Sequence, residues 1–499
     1  MPILMVVNNP DRWRLSIPGV EVVAARRYLA EPSFHRMPDT RVFNLCKSYS
    51  YQSLGYYVSL LAEARDQKPE PDITTIEDMK SSALARGIAD DLQELIQRTL
   101  HSLPHTTFTL SIYFGKTVAQ RDEELGRRLF GCFRSPLLRA QFIQRKGLWH
   151  LQSIRPIPQS EIPDHHHELV VSAAKAYFAR RYRSGRAAQA ARYNIAILHD
   201  PNEAEPPSDM IALRKFMRAA HRAGLGAELV TRDEFAHITE FDALFIRTTT
   251  FMNHYTYRFS RRAATEGMAV IDDPRSIARC TNKVYLAELM ALHDVATPQT
   301  VILHRDNIES AIRQLGFPMV LKKPDSSFSR GVIKVSDAGM LHKEIDRLLD
   351  DSEVIIAQAY IPTDFDWRVG VLDGEPLFVC KYYMAPNHWQ IAKWNTEGKT
   401  RFGKTESLPV DQAPRRVVRS AVRAARLIGN GLYGVDVKVV NGRAHVIEIN
   451  DNPNINSGCE DRILKDELYD RLVASFIRRI EHIKEGANGR ARITQAGAV

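Results

Sequence analysis

Apolar positions recur along this chain in two rhythms, one close to every second residue and one at helical spacing, and their succession marks out three segments. In the first, residues 1–190, the apolar runs at 3–7 and 42–45 predict short buried strands. Leu54, Tyr57, Val58 and Leu61 then fall at helical spacing, which predicts an amphipathic helix packed on a sheet. Residues 108–114 predict a strand, and helices are expected around 127–144. The second segment, 193–275, alternates strand and helix signals. Strands are predicted at 193–198, 227–230, 243–247 and 268–271, and Ser208 stands where it can cap a helix carrying Ile211, Phe216 and Met217. That order predicts a small α/β unit with a mostly parallel sheet. The third segment, 276–485, mixes helices with long strands and hairpins. Residues 486–499 are rich in Gly and Ala and are expected to form a flexible tail.

The 499 residues, 44% hydrophobic and 25% charged, suit a globular protein of several domains. A formal charge of +9 fits anionic partners such as nucleotides or acidic peptides and does not single out nucleic acid. Five scattered cysteines without a C-x-x-C pair read as reduced thiols, hence a cytoplasmic protein. The opening MPILMVV lacks the charge and length of a secretory leader, and no apolar run approaches the roughly 18 residues of a membrane span. His165, His166 and His167 are adjacent residues without a flanking ligand motif, so a solvated surface is expected rather than a metal site. The basic run at 179–192 reads as a charged helix leading into a linker, with RNA contact the alternative.

The chemistry concentrates in the third segment. GVDVKVVNGRAHVIEINDNPNI reads as a hairpin around Asn441-Gly442. A strict two-residue turn would put Asp436 and Glu448 on opposite faces, so an odd-length loop is expected, bringing Asp436, Glu448 and Asn450 onto one face. Val435, Val437, Ile447 and Ile449 would then face the core. Two carboxylates and an amide oxygen suit a hard cation such as Mg²⁺, and the same residues read equally well as the polar side of a solvated hairpin. In GFPMVLKKPDSS, Lys322 ends an apolar strand on the face of Val320, while Lys323 points the other way. Ser326, Ser327, Ser329 and Gly331 follow in a loop able to offer donors to phosphates. Lys283 opens a helical stretch. For each lysine the alternative is an ordinary surface position. Residues 354–357 predict a strand leading into a hinge at 358–362, and a hairpin around Asp373-Gly374 carries Arg368, which can clamp a carboxylate or a transferring phosphoryl group.

The order is lysine helix, lysine strand, hinge, arginine hairpin, then the D-x11-E-x-N hairpin. With IDDPRSIARCTNK, GFPMVLKKPDSS, DWRVGVLDGE and GVDVKVVNGRAHVIEINDNP in that order, residues 276–485 resemble the ATP-grasp fold in its RimK-like and glutathione-synthetase-like branch. Residues 193–275 resemble the domain that precedes it. The stretch NLCKSYSYQSLGYYVSLLAEAR in residues 1–190 resembles the extra N-terminal domain of a subset of RimK-like proteins. The resemblance implies that Lys283 and Lys322 bind ATP phosphates, and that Gln358, Ala359, Tyr360 and Ile361 hold adenine, mainly through backbone. It places Asp366 near the ribose or the substrate, and Ser327 in the phosphate loop, where SSFSRG replaces the family's glycine-rich sequence. It implies that Asp436, Glu448 and Asn450 hold two Mg²⁺ ions (Mn²⁺ being a substitute) and that Arg368 stabilises an acyl phosphate. Asp451 and Asn452 extend the motif toward substrate. The activity implied is ATP-dependent joining of a carboxylate to an amine, adding an amino acid such as glutamate to a peptide, protein or small acceptor. A dipeptide or glutathione-type ligase, and a non-catalytic nucleotide-binding adaptor, are the alternatives. Oligomeric state is left open.

Overall fold

The computed structural model describes residues 2–13, 17, 20–37, 40–65, 67–80, 85, 92–188, 191–252, 254–325, 331–350, 352–394 and 400–496. They form two compact units, 1–190 with 233–237, and 191–232 with 238–499.

The first unit contains a parallel sheet in the order Glu21–Ala24, Ile3–Val7, Arg41–Asn44, Lys68–Glu70. The helix Leu54–Ala64 starts at Ser53, whose hydroxyl accepts from the Tyr56 amide, and buries Val58 and Ala62. A three-stranded antiparallel sheet, Thr107–Tyr113, Leu137–Arg145 and Leu148–Pro156, completes it with the helices Glu123–Cys132 and His167–Ala188. Residues 127–144 are therefore only partly helical. The chain is extended from Leu137, where alternation carries Leu138, Ala140 and Phe142 into the core. His166 Nδ1 lies 2.8 Å from the Tyr113 hydroxyl.

The second unit begins with a parallel sheet, Ala269–Ile271, Ala243–Ile246, Asn194–Leu198, Gly226–Val230. The helix Met210–Arg222 is capped by Asp209, which accepts from the Ala212 amide, one residue beyond the cap expected at Ser208. Ser208 instead accepts from the guanidinium of Arg247. A four-stranded antiparallel sheet follows, in the order Thr300–Leu303, Ile355–Ala359, Met319–Lys322, Val332–Val335. A five-stranded one runs Thr405–Leu408, Glu375–Tyr383, Phe365–Leu372, Leu432–Val440, Arg443–Asn450, with the helix Arg415–Ile428 packed on it. The expected hinge starts later than the sequence suggests, because Gln358 and Ala359 still pair with Val320 and Met319.

The last helix, Asp466–Ala496, continues beyond Glu485, where the sequence pattern ends structure. Ala, Arg and Gln in that stretch are good helix formers, enough to carry the backbone through Gly486 and Gly489. Its Leu472, Val473, Phe476 and Ile480 share one core with Phe216, Phe245 and Leu432. The α/β segment and the antiparallel sheets are thus joined by a common apolar cluster. Phe476 is fully buried, with ring centroids 5.5 Å from Phe245 and 6.0 Å from Phe216. Phe476→Ala should lower the stability of residues 191–499 by about 3–5 kcal/mol, read by denaturant unfolding of the full chain. A loss under 1 kcal/mol would show that the helix is not part of that core.

Candidate active site

The final hairpin turns on two residues, Asn441 and Gly442, both with positive φ (49° and 74°), as a type I′ turn requires. The odd-length loop expected from the sequence is not there: Val440 pairs with Arg443 and Val437 with Val446. A β-bulge makes the correction instead. Ile447 is the extra residue, and past it Asp436 pairs with Glu448 and Gly434 with Asn450. The three oxygen-bearing side chains thus share a face, as required, but through a bulge. The same shift exchanges two core assignments. Val446 is buried and Ile447 is only half-buried, lining a pocket.

Around this face stand the cations. Lys283, the first residue of a helix capped by Asn282, places Nζ 2.9 Å from Glu448 Oε1. Lys322, at the end of its strand, donates to Gln358 Oε1 at 2.9 Å, and Gln358 in turn donates to the Thr300 hydroxyl. Arg368 lies directly across from Asp436 and clamps it with two hydrogen bonds, Nε to Oδ1 at 2.6 Å and one terminal nitrogen to Oδ2 at 2.9 Å. Gly434 makes room for this. A Cβ there would lie 2.6 Å from Pro453 Cβ and 3.1 Å from Arg368 Cδ. Asn450 spends its amide nitrogen on Gly434 O (3.1 Å) and Asp436 Oδ2 (3.3 Å), which leaves its carbonyl oxygen as an acceptor.

Two spaces meet at Asp436 and Glu448. A pocket of about 120 Å³ is lined by Lys322, Gln358 through Ile361, Asp366, Trp389 and Lys438. A cavity of about 380 Å³ opens on the other side, lined by Arg368, Tyr382, Asn450 through Asn452 and Glu460. Lys438 lies two residues beyond Asp436 on the same strand face, paired with Asp366 at 2.6 Å and donating to Thr363 Oγ1 at 2.6 Å. Period-2 alternation from Asp436 reaches Lys438, so this lysine was within reach of the sequence pattern. Arg247 was not. It is fully buried, and its donors go to Ser208 and Pro207 O, 39 and 40 positions away, and to Asn452 and Pro453 O, 205 and 206 positions away.

Electrostatics follow from burial. Burial pushes the Lys322 ammonium down to about 8, against the opposing pull of Glu448. Burial acts to raise Glu448, but Lys283 and Lys322 hold it below the usual carboxylate range. Asp436 stays above its usual value through burial, despite Arg368. Asp451, accepting from the Thr250 hydroxyl, is raised by burial to about 7.

The structure therefore brings together Lys283, Lys322, Gln358, Ala359, Tyr360, Ile361, Asp366, Arg368, Asp436, Glu448 and Asn450. Ser327 lies outside the described residues. Among the described residues no three His, Cys, Asp or Glu side chains gather as a metal cluster, so a cation here would rest on two carboxylates and the Asn450 oxygen. That set is hard and oxygen-only, which fits Mg²⁺, with Arg368 and Lys283 holding the two carboxylates in its absence.

Residues 280–473 match the RimK-like ATP-grasp domain, and residues 25–173 match the RimK-like ATPgrasp N-terminal domain. The chain carries a RimK-like ATP-grasp domain. It is similar to the alpha-aminoadipate–LysW ligase LysX of Saccharolobus solfataricus, 25% identical over 195 residues, covering 38% of this chain and 67% of the relative. It is similar also to a probable alpha-L-glutamate ligase of Stutzerimonas stutzeri, 24% identical over 230 residues, with 45% of this chain and 73% of the relative covered. Among solved structures, a D-alanine–D-alanine ligase from Bacillus anthracis aligns with TM-score 0.48 and 15% identity over 59% of this chain and 99% of that one. The RimK-like ATP-grasp domain places this chain in a family of carboxylate–amine ligases. No helix among the described residues of this RimK-like protein is long and apolar enough to cross a membrane.

The buried lysine gives a pH test of the geometry. Folding holds Lys322 at about 8 against an ordinary 10.5, so between these values the unfolded chain binds a proton that the folded chain has lost. Stability from this group therefore rises with pH through that window and is flat below it. Chemical denaturation of wild type and Lys322→Met from pH 7 to 10.5 should show the difference shifting toward wild type as pH rises. A pH-independent difference would mean the ammonium is solvated.

Proposed function

We propose that this chain is an ATP-dependent ligase that activates a carboxylate as an acyl phosphate and joins it to the amine of an amino acid, peptide or other small molecule. The observation that carries this reading is the shared wall: Asp436 and Glu448 line both the lysine-bearing pocket and the larger cavity. A nucleotide in the first would present its terminal phosphoryl group at the carboxylate pair. A carboxylate substrate in the second would approach from the far side, beside Arg368.

Each residue then has a task. Lys283 and Lys322 offset phosphate charge, and the Ala359–Ile361 backbone, with Tyr360 and Trp389 5.8 Å apart between centroids, forms the wall for the base. Asp366 with Lys438 stands where the ribose hydroxyls fall. Asp436, Glu448 and Asn450 would hold Mg²⁺, two ions by the family pattern, which when bound neutralises the phosphates and orients the terminal group for in-line transfer. A substrate carboxylate oxygen attacks the γ-phosphorus and the bond to ADP breaks. The amine then attacks the acyl carbon, the carbon–oxygen bond to phosphate breaks, and the amine proton passes to solvent. Arg368 faces the carbonyl oxygen as it gains charge. Strands Ala392–Trp394 and Thr400–Phe402 border this cavity through Ala392 and Phe402, limiting the water that would hydrolyse the acyl phosphate.

Incubation of the full chain with ATP, Mg²⁺ and pools of amino acids and peptides should release ADP and phosphate only when an amine is present, with a new amide by mass spectrometry. Nucleotide binding without turnover on any pool would favour the adaptor reading, and phosphate release indifferent to amine would also overturn the ligase. Glu448→Gln should reduce kcat at least a hundredfold while leaving the circular dichroism spectrum unchanged. Lys322→Ala should raise KM for ATP well above the effect of Lys323→Ala, because Lys322 lines the pocket and Lys323, whose side-chain stem lies beside Gly331, does not; equal effects would place the phosphates elsewhere.

A further inference from the structure

The larger cavity carries a charge pattern that the ligase reading does not require. Its described lining holds seven carboxylates and a single cation, Arg368, with no lysine or histidine. Two of the seven, Asp436 and Glu448, face Arg368 and Lys283 at the phosphate side. Those on the opposite wall are held by neutral donors. Asp209 accepts from the amides of Ala212 (2.7 Å) and Ser457 (2.8 Å). Glu460 accepts from the Asn456 amide (2.8 Å) and the Tyr382 hydroxyl. Glu205 is half-buried and lines the same wall.

This wall is built and not a loose cluster of surface acids. The two segments that form it are cross-linked: Ile455 donates its amide to Pro207 O at 2.8 Å, and the Asp209 amide donates to Asn456 Oδ1 at 3.0 Å. Two cations stand behind the wall, and both are engaged: the nitrogens of Arg247 go to Ser208, Asn452 and two backbone carbonyls, and Lys215 Nζ goes to Asp461 (2.5 Å) and the Ser457 hydroxyl (2.8 Å). Glu460 is 2% exposed, so its charge acts in a poorly screened setting. Apolar surface is supplied by Phe251, Ile391 and Phe402, beside threonine and asparagine side chains.

We propose that the amine substrate of this site is cationic beyond its reacting nitrogen: a basic amino acid or a diamine, whose second ammonium or guanidinium group docks against Glu205, Asp209 and Glu460. The proposal rests on the ligase reading and narrows it. An acidic amino acid such as glutamate would bring a carboxylate against that wall, where the described lining offers no cation to receive it, and the juxtaposition of like charges disfavours binding. The apolar side of the cavity accommodates the methylene stem that joins the two nitrogens of a lysine or a diamine. The uncharged reacting nitrogen attacks the acyl carbon, its proton leaves to solvent, and phosphate departs, while the second charge stays bound at the wall.

The test uses the full chain with ATP, Mg²⁺ and a mixed pool of carboxylates, adding one amine at a time: lysine, arginine, putrescine, glutamate, aspartate or alanine. The expected result is amide formation with lysine, arginine or putrescine at least tenfold faster, as kcat/KM, than with glutamate. That preference, read as the ratio of kcat/KM for lysine to that for glutamate, should shrink severalfold in Glu205→Gln and Glu460→Gln, and in 0.5 M salt. Glutamate or aspartate as the best amine, or a preference that survives both substitutions intact, overturns the proposal but leaves the ligase standing. Absence of turnover with every amine, while ATP still binds, overturns the ligase reading and this inference with it.

Discussion

The register of the last hairpin is the constraint on which the site depends. Ile447 is the one residue too many in its strand, and the bulge it makes slides Glu448 opposite Asp436. Without that shift Ile447 would face Asp436 and Glu448 would turn toward the core beside Val435. Bringing two carboxylates together in a low-dielectric place is costly, through both desolvation and mutual repulsion. The cost is offset by cations from three other elements: Lys283 at a helix start, Lys322 at a strand end and Arg368 across the sheet. These pairs also define what a ligand must do. A divalent ion at the oxygens takes over the role of the ammonium and guanidinium groups, which are then able to turn to phosphate or substrate oxygen. The charges are already assembled, and binding exchanges their partners.

Much of this was legible in the sequence because it rests on short-range periodicity. Strand parity separates Lys322 from Lys323: the first lines the pocket and donates to Gln358, while the side-chain stem of the second lies beside Gly331. The need for Asp436, Glu448 and Asn450 to share a face was also readable, since two-residue alternation fixes which residues can coincide. The device was not. A loop of odd length and a bulge in a strand have the same effect on parity, and the choice falls to side chains elsewhere. Asn441-Gly442 satisfies a two-residue turn at no steric cost, so the extra residue moved into the strand. The same limit explains the helix expected over 127–144. Leu137, Leu138, Ala140 and Phe142 fit either period, and pairing with two neighbouring strands settles it.

What the sequence could not supply is the wall of the large cavity. Residues 205–209 and 247–251 lie about 40 positions apart and 451–460 some 200 further on, and no local rule connects them. They meet because Arg247 binds backbone carbonyls of both Pro207 and Pro453, and because the last helix packs its apolar stripe against the parallel sheet. The α/β segment is therefore part of the site. Its edge supplies Glu205, Asp209 and Thr250, which face residues from the end of the antiparallel sheet.

The two spaces have opposite polarity, and this orders the chemistry. Lysines crowd the pocket where a nucleotide fits, while carboxylates crowd the far wall of the cavity, with Arg368 and the oxygen trio between them. A substrate carboxylate is drawn toward the boundary, where Arg368 is the cation among the described lining residues. An ammonium group is drawn away from it, to the far wall. For a molecule with two amino groups joined by a flexible stem, one nitrogen held at that wall leaves the other to reach back toward the boundary, where an activated acyl group would be waiting. The field thus holds the nucleophile's tail in place while its reacting nitrogen, uncharged when it attacks, crosses the cavity at little electrostatic cost.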